Sequence, residues 1–282
     1  MDYHSDRFVD HSLLFHDEGR LVAVLPANQQ GEVLVTHGGL TFGGLVCGTD
    51  MKSPRMLEVF DALLGYMRGR GLKTLRYKAI PHIYHRCPAE EDLYALFRNG
   101  ARLVRRDVSA ALHPGTCREV SVRRRRGRKR AESLGIRVSR SNDLKSFHRL
   151  VSGVLEARHG VRPVHTLEEL ELLSSRFPEN IKMYGAFAED TLVAGVLVYE
   201  NMTVAHAQYI ASGLEGRKAG ALDLLFEFLI EREFSGKRWF DFGISTEHEG
   251  RTLNVGLATF KEEFGARAVV YDTYELSVPE SP

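Results

Sequence analysis

The chain has 282 residues, of which 43% are hydrophobic and 27% charged, so its composition is that of a globular protein and gives disorder no support. A formal net charge of +1 excludes a global electrostatic pull toward nucleic acid or membrane and makes any such recognition local. No apolar run approaches the roughly 20 residues of a membrane span, and the first twelve residues lack the basic start and apolar stretch of a secretion signal.

Three cysteines, Cys47, Cys87 and Cys117, are far apart and form no Cys-x-x-Cys pair, which fits a cytoplasmic protein with reduced thiols. Twelve histidines include no His-Glu-x-x-His pattern, and no metal is expected.

In chain order, residues 21–27, 32–37 and 40–47 read as short strands separated by the turn signals Asn28-Gln29-Gln30-Gly31 and Gly38-Gly39. Met56, Val59, Phe60, Leu63, Leu64 and Met67 repeat at helical spacing, with Gly69 and Gly71 as stops. Residues 74–80 alternate like a strand. Pro88 opens a second helix that ends at Gly100, and residues 101–112 form a further strand.

The second half starts with a basic helix over 118–134, followed by a short strand at 136–139. Asn142 or Asp143 caps a helix carrying Leu144, Phe147, Leu150, Val151, Val154 and Leu155 on one face. Thr166 and Glu169 have the spacing of a capping box. Strands follow at 181–188, 192–199 and 203–211, then a helix at 220–233, a strand at 239–244, a helix at 253–264 and a last strand at 268–276.

The first half thus reads β-β-β-α-β-α-β, the same order as the last seven elements of the second half. Gly100-Ala101-Arg102 recurs 165 positions later as Gly265-Ala266-Arg267, and Asp107 meets Asp272 at the same offset. An internal repeat is expected, with domains at 1–115 and 116–282.

Phe240-Asp241-Phe242-Gly243, followed by Phe260-Lys261-x-x-Phe264-Gly265, resembles the pattern that closes the second domain of Fem-type peptidyltransferases. The ten-element order resembles the GNAT acyltransferase fold, and the tandem arrangement is similar to Fem-type proteins and related envelope-polysaccharide acetyltransferases. The resemblance implies an α/β (α+β) chain of two tandem GNAT-like lobes, each a mixed sheet flanked by helices. It further implies N-acyl transfer in the second lobe from acetyl-CoA or another acyl-CoA. The acceptor would be an amine of a cell-envelope precursor, an amino sugar or peptide linked to a nucleotide or lipid.

In GNAT proteins the donor pyrophosphate sits where a helix N-terminus offers free N–H groups and a favourable dipole. Here that segment is Ser212 to Ala221, in which Arg217 and Gly220 match the family motif and Leu222 departs from its final small position. The resemblance places Ser212, Arg217, Gly220 and Ala221 at the donor, and Gln208 and Tyr209 on the strand facing the acyl group. Lys261 would stabilise the oxyanion, and its counterpart in the first repeat is Leu96. Glu247 and Asp241 are candidates for accepting the amine's proton. His37, Tyr84, His85 and His165 are candidate acceptor contacts.

The basic run over 118–130, with Arg124 within it, leaves three readings open: a clamp for an acceptor diphosphate, a surface for a tRNA-borne aminoacyl donor, or a solvated helix face. The rivals to an acyl-CoA enzyme are therefore tRNA-dependent aminoacyl transfer and a non-catalytic nucleic-acid-binding module.

Overall fold

The computed structural model describes residues 7–114 and 119–279, so the boundary expected at 115/116 lies outside the described residues. In chain order the elements are β1 (Leu13–Asp17), β2 (Arg20–Leu25), β3 (Asn28–Gln30), β4 (Val33–Val35), β5 (Val46–Cys47), α1 (Ser53–Gly69), β6 (Thr74–Lys78), α2 (Glu91–Arg98) and β7 (Arg102–Leu112). They continue as α3 (Val122–Ser133), β8 (Arg137–Ser141), α4 (Leu144–His159), α5 (Leu167–Arg176), β9 (Ile181–Ala188), β10 (Thr191–Glu200), β11 (Val204–Ser212), α6 (Leu214–Ala219) and α7 (Ala221–Phe228). The remainder is β12 (Trp239–Ile244), β13 (Thr246–Glu247), β14 (Thr252–Leu253), α8 (Val255–Glu262) and β15 (Arg267–Ser277).

Local sequence signals account for most of these boundaries. The six apolar residues expected on one face of α1 are all buried. Thr166 and Glu169 close the capping box that starts α5, each satisfying the other's backbone N–H. Asp143 caps α4 by accepting from the Ser146 amide.

Several expectations change. The strand expected at 40–47 survives only as Val46–Cys47. The chain before it is instead a loop gathered by Lys78, whose Nζ donates to the carbonyls of His37, Gly38 and Leu40. The hairpin strand β1 was not expected, because its polar His16 and Asp17 break the apolar alternation. The helix expected at 220–233 is present as α7, which continues as a π-helical turn over Leu229–Glu233, but an unexpected short helix, α6, precedes it, and Gly220 joins the two in a left-handed conformation.

The chain forms two compact units. The first comprises Met1–Val108, Thr246–Leu253 and Val269–Pro282. In it β4 pairs in parallel with β6, β6 antiparallel with β15, and a small β1-β2-β5 sheet stands apart. Phe60, Leu63, Met67, Leu75 and Tyr77 lie at the centre of its core. A buried polar pair crosses this core: the Tyr77 hydroxyl donates to Asp92 (2.6 Å) and accepts from the Leu45 amide (2.8 Å).

The second unit comprises Ser109–Ser245 and Asn254–Ala268. Its strands run β12-β11-β10-β9-β8, with the end of β7 antiparallel to β12 through Phe240↔Leu112 and Asp241↔Ala111. Among the described residues of this unit, only the β11–β12 ladder is parallel. Phe226 packs on Phe240, Phe242, Phe260 and Phe264 at ring separations of 4.8 to 6.1 Å, a cluster whose tilted and edge-on contacts add to its area burial.

The sequence offset of 165 is realised in the elements. β6 starts at Thr74 and β12 at Trp239, while β7 and β15 span Arg102–Leu112 and Arg267–Ser277. Gly100 and Gly265 both hold positive φ. The closing strand of each repeat serves the sheet of the other: β15 pairs with β6, and β7 pairs with β12.

Candidate active site

β11 and β12 pair at Val204↔Trp239, Ala205↔Phe240 and His206↔Asp241, and the ladder ends there although both strands continue. Each strand is irregular beyond that rung. Tyr209 and Ala207 face consecutive residues of β10, which leaves Gln208 as an extra residue in β11. On the other side, the register of β12 against β7 shifts between Asp241 and Ile244, and Gly243 takes a φ of 77°. Extra residues bend a strand and increase its twist. Two parallel strands irregular at the same level cannot continue a regular ladder, and these part beyond the His206↔Asp241 rung.

At the last rung lies a buried polar chain. Asp241 is 0% exposed. One of its carboxylate oxygens accepts from Ser109 Oγ (2.6 Å) and the Gly243 amide (3.1 Å), and the other from His206 Nδ1 (2.7 Å). The carboxylate is thereby a fixed support for the imidazole rather than a group that meets an incoming amine, which moves Asp241 from the proton-accepting role expected of it. A Cβ at Gly243 would lie 3.3 Å from His206 Cε1. His206 was not singled out from the sequence. A lone histidine on an alternating strand carries no signal until parallel pairing brings the aspartate beside it.

Lys261 arrives from α8 and is 2% exposed. Its Nζ donates to the carbonyls of Gly243 and Ile244, both at 2.7 Å. Burial pushes its pKa down to about 8, opposed by the nearby Asp241 carboxylate. Lys261 thus fixes the backbone just past the Asp241 rung, with two of its three donors committed.

Tyr209 and His165 are brought together: the Tyr209 hydroxyl lies 2.7 Å from His165 Nδ1 and accepts from the His165 amide at 3.3 Å. His148 Nε2 donates to the His165 carbonyl. Gln208 occupies the bulge itself. Ser212 ends β11 buried, and its carbonyl accepts from exposed Arg217 (3.2 Å).

Close backbone packing shapes the segment expected at the donor. Ala221 is fully buried, and a Cβ at Gly220 would overlap the backbone carbonyl of Gly127 on α3. One at Gly216 would overlap the Val193 carbonyl. These glycines are accounted for by close backbone packing, and the α7 N-terminus is covered by α3.

Arg124 also departs from the expected acceptor-phosphate clamp. It is 8% exposed, donates to Asp223 (2.6 Å) and Glu263 (2.8 Å), and lies over the Phe260 and Phe264 rings. Its guanidinium is spent inside the second unit. The exposed basic residues of this helix are Arg123, Arg125, Arg126, Lys129 and Arg130. Glu247 lies exposed on the β13–β14 hairpin, in the first unit, whereas Asp241 and Lys261 belong to the second.

His37, Tyr84 and His85 also belong to the first unit. His37 is buried at positive φ, its Nδ1 accepting from the Gly39 amide (3.2 Å). The Tyr84 hydroxyl lies 3.1 Å from that of Tyr271, and its ring packs on Phe42. His85 presents a buried Nδ1 with no hydrogen-bond partner.

Among the described residues no group of three or more His, Cys, Asp or Glu is placed to hold a metal, and no helix is long and apolar enough to cross a membrane.

Residues 119–251, which contain α3 and strands β8 to β12, match the family model Acetyltransf_6, described as an acetyltransferase (GNAT) domain. The chain therefore carries a GNAT acetyltransferase domain and is an acyltransferase of that type.

Its fold is similar to the C-terminal domain of a putative lysylphosphatidylglycerol synthetase from Agrobacterium fabrum, with a TM-score of 0.64 and 14% identity over 96% of this chain and 84% of that one. It is similar to FemX (TM-score 0.65, 11% identity, 94% and 88% covered). It is also similar to a tandem GNAT protein from the clavulanic acid biosynthesis pathway (0.52, 12%, 97% and 84%). At these identities the likeness establishes the fold: two tandem GNAT-like lobes. No curated protein matches the sequence.

Proposed function

We propose that the protein is an N-acyltransferase that joins an activated acyl group to an amine of a cell-envelope precursor by direct attack where β11 and β12 part. The observation that carries this reading is the end of the parallel ladder at His206↔Asp241, with Lys261 holding the backbone just beyond it. Parted strands offer backbone donors to a carbonyl oxygen. The remaining N–H and the charge of Lys261 add to them as negative charge develops in the transition state. Residues such as Tyr209 and His165 border the same strand and suit acceptor binding.

An acyl-CoA donor keeps the support of the GNAT domain. A second reading, an aminoacyl ester carried by tRNA, is favoured by the covered α7 N-terminus and by the exposed basic residues of α3, which suit phosphodiester contacts. The name of one structural neighbour, a lysylphosphatidylglycerol synthetase, fits an aminoacyl group delivered to an envelope component.

The test is transfer by purified protein from radiolabelled acetyl-CoA and, separately, from aminoacylated tRNA, each offered an amino-sugar nucleotide and a lysine-containing peptide. Product from acetyl-CoA alone supports the first reading, and product from charged tRNA alone the second. Product from neither, with intact folded protein, removes the acyl-transfer reading.

A further inference from the structure

Resting on the acyl-transfer reading, we propose that His206 is the catalytic proton acceptor, with Asp241, Ser109 and Lys261 as positioning residues. An amine attacking a carbonyl must lose a proton, and the group that takes it must stand at the reacting centre with a lone pair directed there. His206 occupies the last rung before β11 and β12 part. The buried Asp241 carboxylate accepts its Nδ1–H, which fixes the tautomer with the lone pair on Nε2 and stabilises the imidazolium that forms.

The support is itself held from three sides. Ser109 on β7 and the Gly243 amide fill the other oxygen of Asp241. Lys261 on α8 holds the Gly243 carbonyl, and so the glycine that abuts the edge of the imidazole. The groups facing His206 are thus Asp241 from β12, Tyr199 opposite it on β10, and Lys261 behind the Gly243 carbonyl.

In the reaction the amine nitrogen bonds to the acyl carbon, and the bond from that carbon to the donor's sulfur or oxygen breaks. The amine's proton passes to Nε2 and from there to the departing sulfur or oxygen. Nothing is oxidised or reduced.

Two measurements test this. In the transfer assay, His206→Gln lowers kcat ~10²-fold or more with little change in KM. It also removes the acid-side limb of the pH profile and costs less with hydroxylamine, already neutral at the assay pH, than with an alkylamine. Independently of turnover, nitrogen-15 NMR of labelled full-length protein, with His206 assigned through His206→Gln, shows the Nδ1–H tautomer, which is lost in Asp241→Asn.

Wild-type transfer with an unchanged kcat and acid limb in His206→Gln overturns the role of His206 and leaves the acyl-transfer reading standing. Absence of wild-type transfer defeats that reading instead. An Nε2–H tautomer, or one indifferent to Asp241→Asn, overturns the proposal whatever the kinetics.

Discussion

Gly220 between α6 and α7 and Gly127 on α3 lie backbone to backbone, so close that a single methyl at Gly220 would overlap the Gly127 carbonyl. Gly220 also holds a φ of 79°, which L side chains adopt at a cost. Strain and overlap together predict that Gly220→Ala loses about 3 kcal/mol of stability. Gly65→Ala serves as the contrast. It is an exposed position in α1 with open space around its Cβ direction, and the change stabilises by about 0.5–1 kcal/mol. Urea unfolding of the two variants measures both.

Arg124 predicts a division within the arginine run. Replacing it with Met leaves the carboxylates of Asp223 and Glu263 enclosed without their cation, a change that costs about 3–5 kcal/mol. Arg125→Ala, one residue along and exposed, stays within about 0.5 kcal/mol. Denaturation midpoints of the two variants check the contrast. If they are equally destabilised, the network is not what the arginine supports.

The lowered pKa of Lys261 gives stability a pH signature. Below about 8 the lysine is charged in both folded and unfolded chains, and the folded one bears the full cost of burying the charge. Between about 8 and its ordinary value of 10.5 the folded lysine has shed its proton while the unfolded one retains it. The unfolded chain then binds more protons, and stability rises with pH across that window. The gain is about 3 kcal/mol in all. Wild-type stability minus that of Lys261→Met, measured by denaturation between pH 7 and pH 10, rises accordingly, provided the fold persists at the alkaline end. A flat difference contradicts the burial argument.

Tyr77→Phe strips Asp92 of its buried donor and the Leu45 amide of its acceptor, at a cost of about 1–3 kcal/mol. Burial already raises the Asp92 pKa, and the lost hydrogen bond raises it further. A folded carboxyl that holds its proton more tightly than the unfolded one stabilises at acid pH and loses that contribution as pH rises. The cost of Tyr77→Phe is therefore greater at pH 7 than at pH 4, by thermal or urea unfolding.

Much of the scaffold was legible in the residues because its signals are local. The apolar spacing of α1, the Thr166–Glu169 box and the recurrence of Gly-Ala-Arg each declare themselves within a few positions. Lys261 stands out in the sequence through its motif. The rest depended on what lies across the sheet or between helices. His206 gains its meaning from a residue 35 positions away that only strand pairing brings to it. Arg124 looks like its neighbours until Gly127 lets α3 approach Asp223 closely enough to bury it. The packing of Gly220 on Gly127 has no signature in one dimension, where packing glycines and phosphate glycines look the same.

The exchange of closing strands has a consequence for biogenesis. β6 finds its antiparallel partner only in residues 273–277, and Arg76 and Glu275, which meet across that ladder, are 199 positions apart. A nascent polypeptide emerging from the ribosome must hold this sheet incomplete, one edge unzipped, until residues 273–277 have been made. Such long-range closure slows folding and leaves an adhesive edge exposed in the meantime.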